Sequence, residues 1–335
     1  MHADFLSYTT LTLTTCTASL STNILLLILF ASNPILQTET SALTLNLNIC
    51  DMILPLTVIP VSIYNSLFNS TIFKEDTTVC HLAASLFVLL LLNSLHSLTW
   101  VTIDKFTKIC FPLRYAQLLT RQRTWIILCL TWIYCTLYAA FLFLGFGDYA
   151  YNENINICLP TFSSSTKIYN VVLLSLGIIL PLMIVCLFYI AIIYTARNQA
   201  MRGTFVCNDH HCYYVPIKSY FRSTIVLVLS AVYPLVCWIP YVTISFYETF
   251  HGKDVPSLVE KISVWLVLLT TGLNPWLNAL IQKKYRKALR QSWKKFNQVC
   301  VCLKQNDQPL PKEQQASPNV QDFLPGSSIP TSVNT

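Results

Sequence analysis

Three groups of residues in this chain have types and spacings that could do chemistry. Cys207-Asn208-Asp209-His210-His211-Cys212 places two thiols and two imidazoles within six positions. Thiolate and imidazole are zinc ligands, but ligands this close in sequence converge poorly on one tetrahedral centre. Asp51, and Asp104 followed by Lys105, are ionisable groups within or at the end of long apolar runs. An acid there is costly and is by default a functional group. Cys80 and Cys158 sit at the ends of such runs, where redox chemistry is open to them.

The elements that must position these groups are membrane helices. The chain has 335 residues, 54% apolar and 11% charged. A soluble chain carries about 25% charged residues, and runs of about 20 residues with few charges are long enough to cross a bilayer. We expect spans near Thr9–Phe30, Leu43–Tyr64, Val79–Cys110, Trp125–Leu144, Ile168–Tyr194, Tyr220–Phe246 and Val259–Ile281. No lysine or arginine precedes the first run, which is too long for a cleaved signal peptide. The basic residues cluster at 105–123, 197–222 and 283–295 and in the far tail, as the positive-inside rule expects of cytoplasmic loops. The N-terminus is then extracellular. Nucleic acid is not an expected partner, because apolar spans separate the basic clusters.

Residues 282–296 place Tyr285, Leu289, Trp293 and Phe296 at helical spacing among lysines and arginines. This reads as an amphipathic helix lying in the membrane interface. The organisation expected is an extracellular N-terminus (1–8), a membrane domain (9–281), the interfacial helix (282–296) and a disordered cytoplasmic tail (297–335), which is rich in Pro, Gln, Asn and Ser. Asn69-Ser70-Thr71 is a glycosylation acceptor on the outer side.

Several separated motifs resemble those of rhodopsin-like G-protein-coupled receptors. They are Asn23; Asn46 to Asp51; Asp104-Lys105-Phe106 followed by Pro112-Leu113-Arg114-Tyr115; Trp132; Pro181 with Tyr189; Cys237-Trp238-Ile239-Pro240-Tyr241; and Asn274-Pro275. Their order and spacing cover residues 15–296. The resemblance implies an all-α membrane fold of seven transmembrane helices plus a short amphipathic eighth.

It also implies roles. Asp104, Lys105, Phe106, Tyr189, Pro234, Trp238, Pro240, Asn274, Pro275 and Asn278 fall on the switching and coupling machinery. Asp51, Ser94 and Asn274 form a polar core that can hold a sodium ion near Asp51. Phe87, Val88, Leu91, Trp238, Tyr241 and Trp265 match or adjoin pocket positions. The family has a disulfide that Cys80 and Cys158 would form; two free thiols are the alternative. Cys300 and Cys302, just past the interfacial helix, are expected palmitoylation sites. The implied partners are a heterotrimeric G protein, arrestin, the bilayer of the plasma membrane, and a ligand of unknown identity. Amine receptors have an aspartate where this chain has Phe87, so a conventional amine is not expected. No lysine lies in the middle of the seventh span, so a retinal Schiff base is not expected either.

Three departures stand out. Lys105 replaces the family's arginine, Pro234 a phenylalanine, and Asn278 a tyrosine. Lysine keeps the charge but lacks the planar donor fork of arginine. We therefore expect Asp104 to restrain Lys105 at rest, and Lys105 with Asn278 to support the active state weakly. The alternative is a receptor-shaped protein with weak, constitutive or no coupling. Asp209-His210-His211-Cys212 matches the signature of protein acyltransferases, but without their larger Cys- and His-rich domain, and no enzyme activity is expected. A transporter would show internal repeats, and none is evident.

Overall fold

A computed structural model describes residues 2–68, 77–152, 155, 157–201, 205–208, 211–214, 217–280 and 283–306. Asn69 lies outside them. The chain divides into two compact units, Met1–Ser292 and Trp293–Thr335.

The first unit is built from long helices: α1 (His2–Ser32), α2 (Ser41–Phe68), α3 (Thr77–Cys110) and α4 (Arg121–Phe143). The fifth, α5, is assembled from Lys167–Val172, a π-helical stretch Leu173–Ile179 and Leu180–Met201. Then come α6 (Ile217–His251) and α7 (Ser257–Pro275), which continues as a π-helical stretch, Trp276–Leu280. The last described helix, α8 (Lys283–Asn306), starts in the first unit and runs ten residues past the end expected for it. Two antiparallel hairpins decorate this helical fold. β1 (Asp148–Asn152) pairs with β2 (Ile157–Thr161), and β3 (Phe205–Asn208) with β4 (His211–Tyr214). The second pairing sets Cys207 opposite Cys212, and the sequence reading anticipated neither hairpin.

This is a multi-pass membrane fold. Among the described residues, five helices (α1, α3, α4, α5 and α6) are long and apolar enough to cross a bilayer, and a sixth span is counted if α7 and the start of α8 are taken together. Their outer faces carry large apolar side chains such as Ile28, Leu130, Ile133, Leu187, Ile190 and Val236, all more than half exposed. A water-facing surface does not carry so large an apolar area. The inner faces close on one main core in which Ala84, Leu92, Leu142, Leu174 and Trp238 are buried.

Polar groups between the helices pair with each other, as desolvation demands. Asn46 Nδ2 on α2 donates to Asn93 Oδ1 at 2.8 Å and Ser97 Oγ at 2.7 Å on α3. Its Oδ1 accepts from Trp132 Nε1 on α4 at 2.9 Å. One amide therefore joins three helices. Asn46→Ala is expected to lower the thermal midpoint of purified protein more than Trp132→Phe. The first change leaves the Trp132 indole N–H without an acceptor, at about 1–3 kcal/mol, and also removes the donor shared by Asn93 and Ser97, whereas the second frees only one acceptor.

Both prolines of α6 lie inside one continuous helix. Pro234 is buried and Pro240 half-buried, so packing holds the helix together where backbone hydrogen bonds are missing. The helix ends at Gly252, whose φ of 60° is left-handed and whose N–H reaches Glu248 O at 2.8 Å. Glycine takes that conformation without steric cost.

Candidate functional site

The candidate side chains form one polar column between the helices, beginning at Asp51 on α2. This carboxyl group is fully buried and accepts from Ser94 Oγ on α3 at 2.5 Å and from Asn274 Nδ2 on α7 at 2.8 Å. Asn274 Oδ1 accepts in turn from the Tyr233 hydroxyl on α6. Asn278 Nδ2, one turn along from Asn274, donates to the same hydroxyl at 3.2 Å. Asn278 Oδ1 accepts from Lys105 Nζ on α3 at 2.7 Å, and Lys105 also donates to the Tyr189 hydroxyl on α5 at 3.1 Å. The column therefore touches α2, α3, α5, α6 and α7. Beside it, Ser19 Oγ on α1 meets Thr271 Oγ1 at 2.9 Å, and Asn23 Nδ2 meets Thr271 O at 3.1 Å.

Lys105 is not restrained by Asp104, contrary to the expectation from sequence. Asp104 Oδ2 is held by Lys108 Nζ at 2.6 Å, and Oδ1 by the Tyr115 hydroxyl at 2.9 Å. Tyr115 is shared with Thr40 Oγ1 at 3.0 Å, which ties the loop after α3 to the start of α2. Burial pushes the Tyr115 phenol above its usual range, so it remains a donor. The physical reason is helical geometry. Lys108 lies one turn from Asp104 on the same face, where opposite charges meet, whereas Lys105 is the next residue and points elsewhere. The short amide of Asn278 reaches both Lys105 and Tyr233.

The remaining expected switch residues pack around this column. Tyr189 is fully buried, and Phe106 packs at a tilt against Phe188 with ring centres 4.6 Å apart. Trp238, Pro234 and Pro275 are buried. Cys80 and Cys158 are disulfide-bonded, which fastens β2 to the start of α3.

A cavity of about 590 Å³ opens between the β1–β2 hairpin and the ends of α6 and α7. Of the six expected pocket residues, Tyr241 lines it. Phe87, Val88, Leu91 and Trp238 pack in the main core instead. Trp265 turns its indole N–H to Thr15 Oγ1 on α1 at 3.0 Å. The sequence reading gave no role to Tyr233, Lys108 or Tyr115 at the inner end, nor to Phe162, Glu248 or Glu260 around the cavity. The four-residue spacing of Asp104 and Lys108 was the available signal for the inner pair. Among the described residues, no group of three or more His, Cys, Asp or Glu side chains could hold a metal ion.

A seven-transmembrane receptor model of the rhodopsin family matches residues 22–277, and the chain belongs to that family. It is a family of receptors rather than enzymes. Among individual proteins, the chain is 27% identical to the histamine H2 receptor of Canis lupus familiaris over 92% of this chain and 89% of the relative. It is 27% identical to the human histamine H2 receptor over 90% of this chain and 85% of that one. It is 24% identical to melanopsin of Phodopus sungorus over 87% of this chain and 62% of the relative.

Proposed function

We propose that this chain is a G-protein-coupled receptor of the plasma membrane. In this reading α1 to α7 are seven spans, the N-terminus is extracellular, and α8 lies along the inner interface. The column from Asp51 to Lys105 carries the proposal. It links a buried acid to the inner end of α3 through side chains on the helices that must shift for a G protein or arrestin to dock. A ligand biases such a switch only by binding one packing more tightly than the other. Asp51 and Ser94 would hold a sodium ion, since a carboxylate and a hydroxyl are the oxygen donors a hard cation takes. Asn274 turns its nitrogen toward Asp51 and would not be a ligand in this arrangement.

The position of Lys105 away from Asp104 favours a second reading, that output is constitutive. In the family the basic residue leaves its acid on activation, and here Lys105 is already engaged by Tyr189 and Asn278. Histamine, for which the first relatives are named, is an amine. The conventional acid that would hold one from α3 is absent, because Phe87 stands there.

Cys300 and Cys302 fall on α8 rather than beyond it.

The test is second-messenger output in cells expressing the full chain at measured surface density. Output above that of mock cells without added ligand is expected. Output at the mock level, with the protein at the surface, would overturn the constitutive reading. Tags at the two ends, probed on intact cells, check orientation, and only the N-terminal tag is expected to be accessible.

A further inference from the structure

The hairpin between α5 and α6 holds two cysteines that the receptor motifs do not use. Its antiparallel register sets Asn208 opposite His211 and, one step further from the turn, Cys207 opposite Cys212. Only two positions separate Asn208 from His211, so the turn closes with hydrogen bonds between that pair. Opposed pairs in an antiparallel ladder alternate between hydrogen-bonded and non-hydrogen-bonded. Cys207 and Cys212 are therefore a non-hydrogen-bonded pair, the closer kind, with Cα atoms about 4.5 Å apart. A disulfide spans Cα separations of about 4.4–6.8 Å. The backbone register alone brings the two residues into that range.

The same register decides between a disulfide and a metal. Strand alternation places Phe205, Cys207, Cys212 and Tyr214 on one face of the hairpin. His211 belongs to the other face. Two thiolates without further ligands fall short of a structural zinc site.

We propose that Cys207 and Cys212 are a reversible dithiol–disulfide pair, closed by peroxide and reopened by small thiols. The inference goes beyond the receptor reading. It takes from that reading only that the connection between α5 and α6 faces the cytosol, where disulfides are transient and redox-sensing. One thiolate attacks a peroxide oxygen, the O–O bond breaks, a sulfenic acid forms and hydroxide leaves. The opposed cysteine, as thiolate, attacks the sulfenic sulfur, the S–S bond forms, the S–O bond breaks and a second hydroxide leaves. The two thiol protons turn both hydroxides into water. Two electrons pass from the sulfurs to the peroxide. Opposition makes the second step intramolecular, so it outruns capture by a reagent in solution. Two glutathione thiols reverse the bond through a mixed disulfide and leave as glutathione disulfide. The closed bond holds β3 in register against β4.

The test reads thiol chemistry and not output, so a failure of coupling does not bear on it, and the end tags check the side of the membrane separately. The full chain in lipid nanodiscs is treated with hydrogen peroxide, alkylated, and digested with trypsin without reduction. No lysine or arginine lies between Gly203 and Lys218, so both cysteines fall in one peptide. After peroxide that peptide is expected to be two hydrogens lighter and free of alkyl groups. Glutathione added before alkylation is expected to restore both alkylations. Cys207→Ser is expected to stop at the sulfenic acid of Cys212, and to be labelled by dimedone about tenfold or more above wild type, because the resolving thiol is gone. His211→Cys with Cys212→Ser moves the second thiol by one position, onto the other face, and is expected to close about tenfold or more slowly. Cysteines that stay alkylatable after peroxide, equal closure in the shifted variant, equal dimedone labelling of Cys207→Ser and wild type, or a bond that glutathione does not reopen would each overturn the proposal.

Discussion

Lys105→Met is expected to abolish most of the proposed ligand-independent output at unchanged surface density. Methionine keeps the stem of the side chain and removes the ammonium. Asn278 Oδ1 and the Tyr189 hydroxyl then lose the donor that now sits 2.7 and 3.1 Å from them. A hydrogen bond to a charged group contributes about 1.5–3 kcal/mol, which corresponds to roughly a ten- to hundredfold change in the population of the linked packing. Stability should change less, because Asn278 still donates to Tyr233 and Tyr189 remains enclosed by apolar neighbours. Tyr189→Phe removes one of the two contacts and is expected to give a smaller loss of output in the same direction. Loss of surface protein in proportion to output would show that Lys105 acts on folding rather than on the switch.

The second large effect belongs to Asp51. Asp51→Ala removes the acceptor for Ser94 and for Asn274 in a place with no access to water. Each stranded donor costs about 1–3 kcal/mol, and the lost side chain leaves a cavity as well. The sum approaches the whole stability of many folded proteins, about 5–15 kcal/mol. Little Asp51→Ala protein is expected at the cell surface. Asp51→Asn should fold. Its Oδ1 can accept from Asn274 while its Nδ2 donates to Ser94 Oγ, whose hydroxyl turns to suit. What it loses is charge, so stabilisation of the purified protein by sodium is expected in wild type and absent in Asp51→Asn. Surface density by flow cytometry and thermal midpoints in sodium against choline buffer read the two effects. Equal surface density of Asp51→Ala and wild type would contradict the buried network.

Much of this was legible in the sequence, for physical reasons that differ between elements. Asp51, Ser94 and Asn274 are polar groups in apolar helices, and such groups must find one another. Pairing of Cys80 with Cys158 followed from the family resemblance. The partner of Lys105 was not legible, because Asp104 had two other suitors. Lys108 lies one helical turn away, and Tyr115 returns to Asp104 only after the turn around Pro112. Tyr233 was hidden for another reason. A tyrosine in an apolar helix reads as core, and only the rotation of α6 against α7 shows that its hydroxyl meets Asn274 and Asn278. The cavity acids were overlooked because Glu248, Asp254 and Glu260 are spread over thirteen positions, and only the turn at Gly252 draws them to one wall.

The central claim is that Lys105 acts with Asn278 and not with Asp104. A double-mutant cycle on basal second-messenger output at matched surface density tests it most directly, because coupled residues depart from additivity by about 0.5–3 kcal/mol and independent ones do not. The cycle joins Lys105→Met to Asn278→Ala in one arm and to Asp104→Asn in the other. The account predicts strong coupling of Lys105 to Asn278 and near-additivity with Asp104. Additivity with Asn278, together with strong coupling to Asp104, would contradict it.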